Sequence, residues 1–211
     1  MVFAKDVSRS FRLLLRPSKE SSGKMKLVDS LKFYYSASLI PLLLIMVVAF
    51  LRINYGPHIN FIKLFPMAYS TSVTMGVGAV VVALALLYVW VLVPIGFFID
   101  AAIYQVVGKN FLRLFKGSFE NSFSAVTLGS MPMVLLGWLI LVPGVNVLAF
   151  AVLPVWSLVV LIIALSAQQK ITRLQAIGTM VVTAFLAFMT VMLLIYGALL
   201  GSGALYSYML G

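Results

Sequence analysis

Five apolar runs, each about long enough to cross a bilayer, fill most of the chain after residue 32. They lie at about 33–51, within 76–107, and at about 122–142, 147–166 and 174–200. A spanning helix needs about 20 consecutive apolar residues. Composition agrees, with 63% hydrophobic and 9% charged residues, against about 45–50% and about 25% in a soluble domain. One soluble core could not hide that much apolar surface, whereas a bilayer accepts it. The fold expected is therefore an all-α membrane protein, a bundle of five transmembrane helices. What remains of the 211 residues is a polar tail, short loops and helix ends, too little for a sizeable soluble domain. The chain divides into a basic tail, 1–32, and a membrane domain, 33–211. The first long apolar run follows a mostly polar stretch and ends without a small-x-small pattern, so it is expected to be a retained span rather than a cleaved signal.

Charge orients the bundle. The tail carries eight Lys/Arg: Lys5, Arg9, Arg12, Arg16, Lys19, Lys24, Lys26 and Lys32. The connection after span two adds Lys109, Arg113 and Lys116, and that after span four adds Lys170 and Arg173. Alternate connections hold only Arg52 and Lys63. By the positive-inside rule the N-terminus is cytoplasmic and, with five crossings, the C-terminus lies outside or in a lumen. A net charge of +10 would suggest nucleic acid in a soluble chain. Beside apolar helices, anionic lipid headgroups explain it better, and no nucleic-acid partner is expected.

Within the tail, Phe3, Val7, Phe11 and Leu14 recur at helical spacing, with Arg9, Arg12 and Arg16 on the opposite side or flanks. This predicts an N-terminal amphipathic interfacial helix; a disordered basic tail is the alternative. Pro17 ends that helix, and Ser21-Ser22-Gly23 reads as a loop. Span two exceeds a simple crossing and should tilt or project. Gly108 offers it a stop, and the segment 109–119 is expected along the inner interface. Ser118 is placed to cap span three and Asn146 span four. Thr172 and Gln175 have capping-box spacing at the start of span five, and Gly201, Ser202 and Gly203 loosen its end. The connection 52–75 is rich in interfacial aromatics and holds the single histidine, His58. Pro41, Pro94, Pro132 and Pro154 each fall inside one span, removing a backbone hydrogen bond and bending the helix. Broken helices also build transporter sites, although proline is widely tolerated in membrane helices. Gly197 and Gly201 have GxxxG spacing and suit helix packing within the bundle or, alternatively, a homo-oligomer.

Little here can carry chemistry. The chain has no cysteine, one histidine and five acids, so thiolate chemistry and paired-histidine metal sites are excluded. It contains neither a phosphate-binding glycine loop nor a nucleophile elbow. No catalytic residue, metal or cofactor is expected. Asp100 is the most informative residue. An acid flanked by Phe98, Ile99, Ala101 and Ala102 should face a bundle interior, water or a cation, or else be a solvated interfacial acid. With Gln105, Glu120 and Asn121 it makes a candidate inner pocket.

Asp100-Ala-Ala-Ile-Tyr-Gln105, Phe115-Lys-Gly-Ser-Phe-Glu-Asn-Ser-Phe123, Leu128-Gly-Ser-Met-Pro132, Val155-Trp-Ser-Leu158 and the tail segment Phe11-Arg-Leu-Leu-Leu-Arg-Pro17 together resemble the Yip1-domain family, in particular its prokaryotic branch. The resemblance covers about residues 9–200. It implies a five-helix membrane bundle with a cytoplasmic N-terminus and no catalytic residues. Eukaryotic members resemble adaptors in vesicle traffic that associate with prenylated GTPases; they carry a longer cytoplasmic domain that this chain lacks. Their Tyr-Gly-Pro motif precedes the first helix, whereas Tyr55-Gly56-Pro57 follows it here.

The function expected is a non-enzymatic membrane scaffold or adaptor that binds lipids and other membrane proteins. Arg9, Arg12, Arg16, Lys109, Arg113 and Lys116 would contact anionic headgroups. A small transporter or permease subunit is the rival and demands a continuous polar cavity. A lipid-modifying enzyme would need Asp100 and Glu120 together around a cation.

Overall fold

The computed structural model describes residues 2–21, 23, 25–55, 80, 83–142 and 144–210. Helix α1 spans Val2–Leu15 and α2 spans Pro17–Glu20; α3 follows at Leu27–Tyr55. Helix α4, Val93–Gln105, lies between two π-wound turns, Tyr88–Leu92 and Val106–Phe111. Helix α5 is Phe119–Leu136, α6 is Asn146–Gln169 and α7 is Arg173–Leu210. Among the described residues there is no strand. Among them five stretches are long and apolar enough to cross a membrane: Leu27–Val47, Ala83–Phe111, Phe119–Ile140, Asn146–Gln169 and Arg173–Gly197. The chain is thus an all-α, five-span, multi-pass membrane protein with a short N-terminal helix.

Several local expectations shift. Helix α3 starts at Leu27, not Phe33, so the division at 32/33 falls inside a helix. Gly108 does not stop span two, because the π-wound turn carries the helix on to Phe111. Helix α7 runs through Gly201, Ser202 and Gly203 to Leu210. Ser118 is the N-cap of α5, extended at φ −81° and ψ 174°, but its side chain makes no capping bond. The cap of α6 is Val145, one residue before Asn146. The capping box at α7 forms in full: Thr172 N–H donates to Gln175 Oε1 at 2.9 Å and Gln175 N–H to Thr172 Oγ1 at 3.2 Å. His58, Lys63 and most of the 52–75 connection lie outside the described residues.

Helix α5 is the hub. Every residue from Ser122 to Gly129 is buried, and Phe123, Leu128 and Met131 join Phe33 and Tyr34 of α3, Phe97 of α4 and Val160 and Leu165 of α6 in one core. Helices α5 and α6 approach closely because Gly129 has no side chain. A Cβ there would lie 2.7 Å from Leu161 Cβ and 2.9 Å from its Cα.

The four span prolines behave differently. Pro41, Pro132 and Pro154 sit inside continuous helices. Pro94 follows the π-wound turn, in which Val93 N–H bonds Tyr88 O. The next carbonyl in that series, Val89, faces Pro94, which has no N–H to offer. Two side chains of α3 repair the break. The Tyr34 hydroxyl donates to Val89 O, and the Tyr35 hydroxyl donates to Trp90 O at 3.1 Å. The Tyr34 ring stands edge-on to Phe97, centroids 5.1 Å apart. Carbonyls that a broken-helix transporter would aim at an ion are here covered by tyrosines.

Candidate functional site: the basic end of the bundle

One end of the bundle gathers the start of α3, the return after span two, the α6–α7 turn and the N-terminal helices. After the π-wound turn the chain folds back, and the N–H groups of Leu114 and Phe115 both donate to Gly108 O, at 2.8 and 3.1 Å. Buried Phe115 then lies against Gly108, where a Cβ would sit 2.6 Å from its ring. This return carries Lys116, Gly117 and Ser118 to the C-terminus of α6.

An amide network closes there. Gly117 N–H donates to Gln169 Oε1 at 2.9 Å. Gln169 Nε2 donates to Ser122 Oγ at 2.7 Å and to Gln105 Oε1 at 3.3 Å. Ser122 Oγ donates in turn to Gln105 Oε1 at 2.7 Å, and Gln105 Nε2 to Gly117 O at 3.3 Å. Gln169 is fully buried, so these bonds satisfy groups that would otherwise be costly inside the protein. A Cβ at Gly117 would come within 2.6 Å of Gln169 Oε1 and against Asn121 Nδ2, so a larger residue there would displace both amides.

A second brace reaches the tail. Gln168 Nε2 donates to Ser21 O and Gly23 O, both at 2.8 Å, while Asn121 Nδ2 donates to Gln168 O at 3.0 Å. Arg9 completes the attachment: its Nε lies 3.6 Å from Glu20 Oε2, its Nη2 donates to Glu20 O at 3.1 Å, and its guanidinium sits 5.5 Å from the Phe33 ring centroid. Leu13 and Ser10 of α1 are fully buried. Helix α1 is thus fastened to the bundle.

The four residues expected in an inner pocket therefore part company. Gln105 and Asn121 enter the network. Asp100 and Glu120 are exposed and make no hydrogen bond or ion pair among the described residues. Helical geometry explains the split in α4. Ala101 and Gln105 are four residues apart and share the buried face, whereas Asp100 is turned away from Gln105 by about 140°. Glu120 lies in the first turn of α5, where a carboxylate favours the helix dipole. Among the described residues no three of His, Cys, Asp and Glu come together. Neutral amides and a hydroxyl move no protons near neutral pH; what they do here is fix three loops in one geometry.

The cations divide as well. Arg9 is committed to Glu20 and Phe33, while Arg12, Arg16, Lys109, Arg113, Lys116 and Lys170 are exposed, Arg12 with its Nε 3.9 Å from Glu20 Oε1. Arg113 and Lys170 both hold left-handed backbone at φ 54°, Lys170 as the residue that closes α6. The expected packing glycine Gly197 meets nothing within 4 Å among the described residues, and the surroundings of Gly201 lie outside them.

Gln168 and Gln169 are not among the residues that the sequence singles out. Two adjacent amides ending a long apolar run, level with Gln105 in an antiparallel bundle, were the available signal. A polytopic α-helical membrane bundle with one basic, amide-braced end is what fold and site define. No family profile, curated protein or solved structure matches the chain.

Proposed function

We propose that the protein is a non-enzymatic membrane scaffold or adaptor of the Yip1-domain type, with its basic end and N-terminus in the cytoplasm. The observation that carries this reading is how the polar side chains of the basic end are used. The amide N–H groups of Gln105, Asn121, Gln168 and Gln169 are used in bracing loops, while Arg12, Arg16, Lys109, Arg113, Lys116 and Lys170 are among the exposed cations around them. A cation near an anionic leaflet is worth about 1 kcal/mol, so Arg12, Arg16, Lys109, Arg113, Lys116 and Lys170 together give a substantial lipid-holding surface. The cover that Tyr34 and Tyr35 provide over the carbonyls beside Pro94 favours this reading over a transporter.

The test is a partner census: crosslinking in native membranes, purification in mild detergent and mass spectrometry of what stays bound. A specific, stoichiometric membrane protein supports the adaptor. Recovery of lipid alone contradicts it. Because the chain has no cysteine, orientation is tested with single cysteines at Ser18 and Gly144 and a membrane-impermeant maleimide on intact cells. The proposal has only Gly144→Cys labelled from outside.

A further inference from the structure

Helix α1 presents three separate ridges. Ser10 and Leu13 face the bundle and are fully buried. Val7, Phe11 and Leu15, spaced four apart, form an apolar ridge, along which Phe11 is 44% and Leu15 82% exposed. Ser8 and Arg12, also four apart, form a polar, cationic edge beside it, continued by Arg16 just past the helix end; all three are exposed, and Arg12 Nε lies 3.9 Å from Glu20 Oε1. On a 3.6-residue helix adjacent ridges differ by about 100°. Apolar and cationic edges therefore lie side by side, the apolar one turned away from the protein and Arg12 exposed beside Glu20.

The helix cannot swing clear. The Arg9–Glu20 pair, the Arg9 guanidinium over Phe33 and the Gln168 bonds to Ser21 and Gly23 hold both it and its linker. Those fastenings sit where α3 enters its apolar span at Leu27, and Val28, on the first turn of that span, is 57% exposed. An exposed Phe and Leu at the mouth of a membrane span, flanked by arginines, match one occupant by charge and polarity: the boundary between anionic headgroups and acyl chains.

We infer that α1 is a bundle-anchored wedge, its Phe11–Leu15 ridge inserted among the lipids of the adjacent leaflet with Arg12 and Arg16 on the headgroups, so that the protein concentrates where that leaflet is convex. A helix lying in one leaflet spreads headgroups without filling the depth below them, and its binding is accordingly sensitive to curvature and lipid composition. Most amphipathic helices can leave the surface; this one is fixed by the bundle, so the preference passes to the whole protein. The inference rests on the lipid-facing placement of the basic end and extends it from binding to sorting.

The test uses the full chain, fluorescently tagged at its C-terminus and reconstituted into vesicles of mixed diameter containing one anionic and one neutral phospholipid. Protein density per area is read vesicle by vesicle, after surface proteolysis of the tag has selected vesicles with the N-terminus outward. The expected result is several-fold enrichment on the smallest vesicles, lost in Phe11→Ser/Leu15→Ser and reduced in Arg12→Gln/Arg16→Gln. Density independent of diameter overturns the inference, and so does enrichment that survives Phe11→Ser/Leu15→Ser. A spin label at Leu15→Cys gives a second readout insensitive to yield. It should collide with lipid-dissolved oxygen and not with an aqueous nickel chelate, the reverse of Ser8→Cys. Equal aqueous exposure at both positions overturns the inference as well. Neither readout involves a protein partner, so their failure leaves the adaptor reading to its own census.

Discussion

Helices α5 and α7 are both apolar enough to span a membrane, yet the less hydrophobic one is inside. The α5 span has a mean hydropathy of 1.7 and is 56% buried, whereas the α7 span reaches 2.3 and is 11% buried. In water the order would be reversed. Lipid tails are as apolar as leucine, so hydrophobicity does not drive a membrane helix inward; close packing and hydrogen bonding do. Helix α5 accordingly carries Ser122, Ser124, Thr127, Gly129 and Ser130, small residues that admit neighbours. Thr127 and Ser130 return their hydroxyls to the carbonyls of Phe123 and Val126. Helix α7 shows Val181, Phe185, Phe188 and Leu193, side chains that lipid accepts at no cost.

The contrast can be broken first at glycine. Gly129→Ala drives a methyl into the backbone of Leu161 and should cost about 1–3 kcal/mol or more. Gly178→Ala, on α7 with nothing within 4 Å of its Cβ, should be neutral or slightly stabilising. Thermal unfolding of both variants in one detergent makes the comparison, and equal loss would sink the hub-and-rim picture. Next comes the amide network. Gln169→Leu strands Gly117 N–H and one acceptor site of Ser122, at about 1–3 kcal/mol. It should also raise hydrogen exchange selectively over 112–118; uniform exchange would mean that Gln169 does not hold that loop.

Smaller still is the tyrosine repair. Tyr34→Phe should destabilise by about 1 kcal/mol and loosen the turn around Val89, seen as faster local exchange, while Tyr35→Phe does less because its bond is exposed. The least effect belongs to the rim: Thr172→Ala removes the α7 cap at about 0.5–1 kcal/mol and should leave the α5 core unchanged by exchange. Loss of protection at Phe123 or Met131 would show that α7 supports the hub after all.

Much of this was legible in the sequence. Five spans followed from run length, and charge alternation placed the tail, the 109–119 segment and the 170–173 turn at one end, where the hydrogen bonds of Gln168 and Gln169 join the first two to the end of α6. Thr172 and Gln175 were readable because a capping box is local. What could not be read depends on neighbours distant in sequence. Nothing near Pro94 says that two tyrosines some 55 residues earlier would cover its open carbonyls. Asp100 drew attention as the lone acid of an apolar run, but the rotation of α4 against α5 puts Ala101 and Gln105 inside instead. Arg9 looks like its neighbours Arg12 and Arg16 in the sequence, and what sets it apart is the Glu20 carbonyl and the Phe33 ring that hold its guanidinium.

The central claim, that α5 is enclosed by protein and α7 by lipid, has a direct test on the unaltered chain. Reconstitute it with a phospholipid bearing a diazirine in its acyl chain, irradiate, and map the adducts by peptide mass spectrometry. Adducts should cluster on Val181, Phe185 and Phe188 of α7 and be absent from Ser122–Gly129 of α5. Labelling of Ser122–Gly129 as dense as that of α7 would contradict the account.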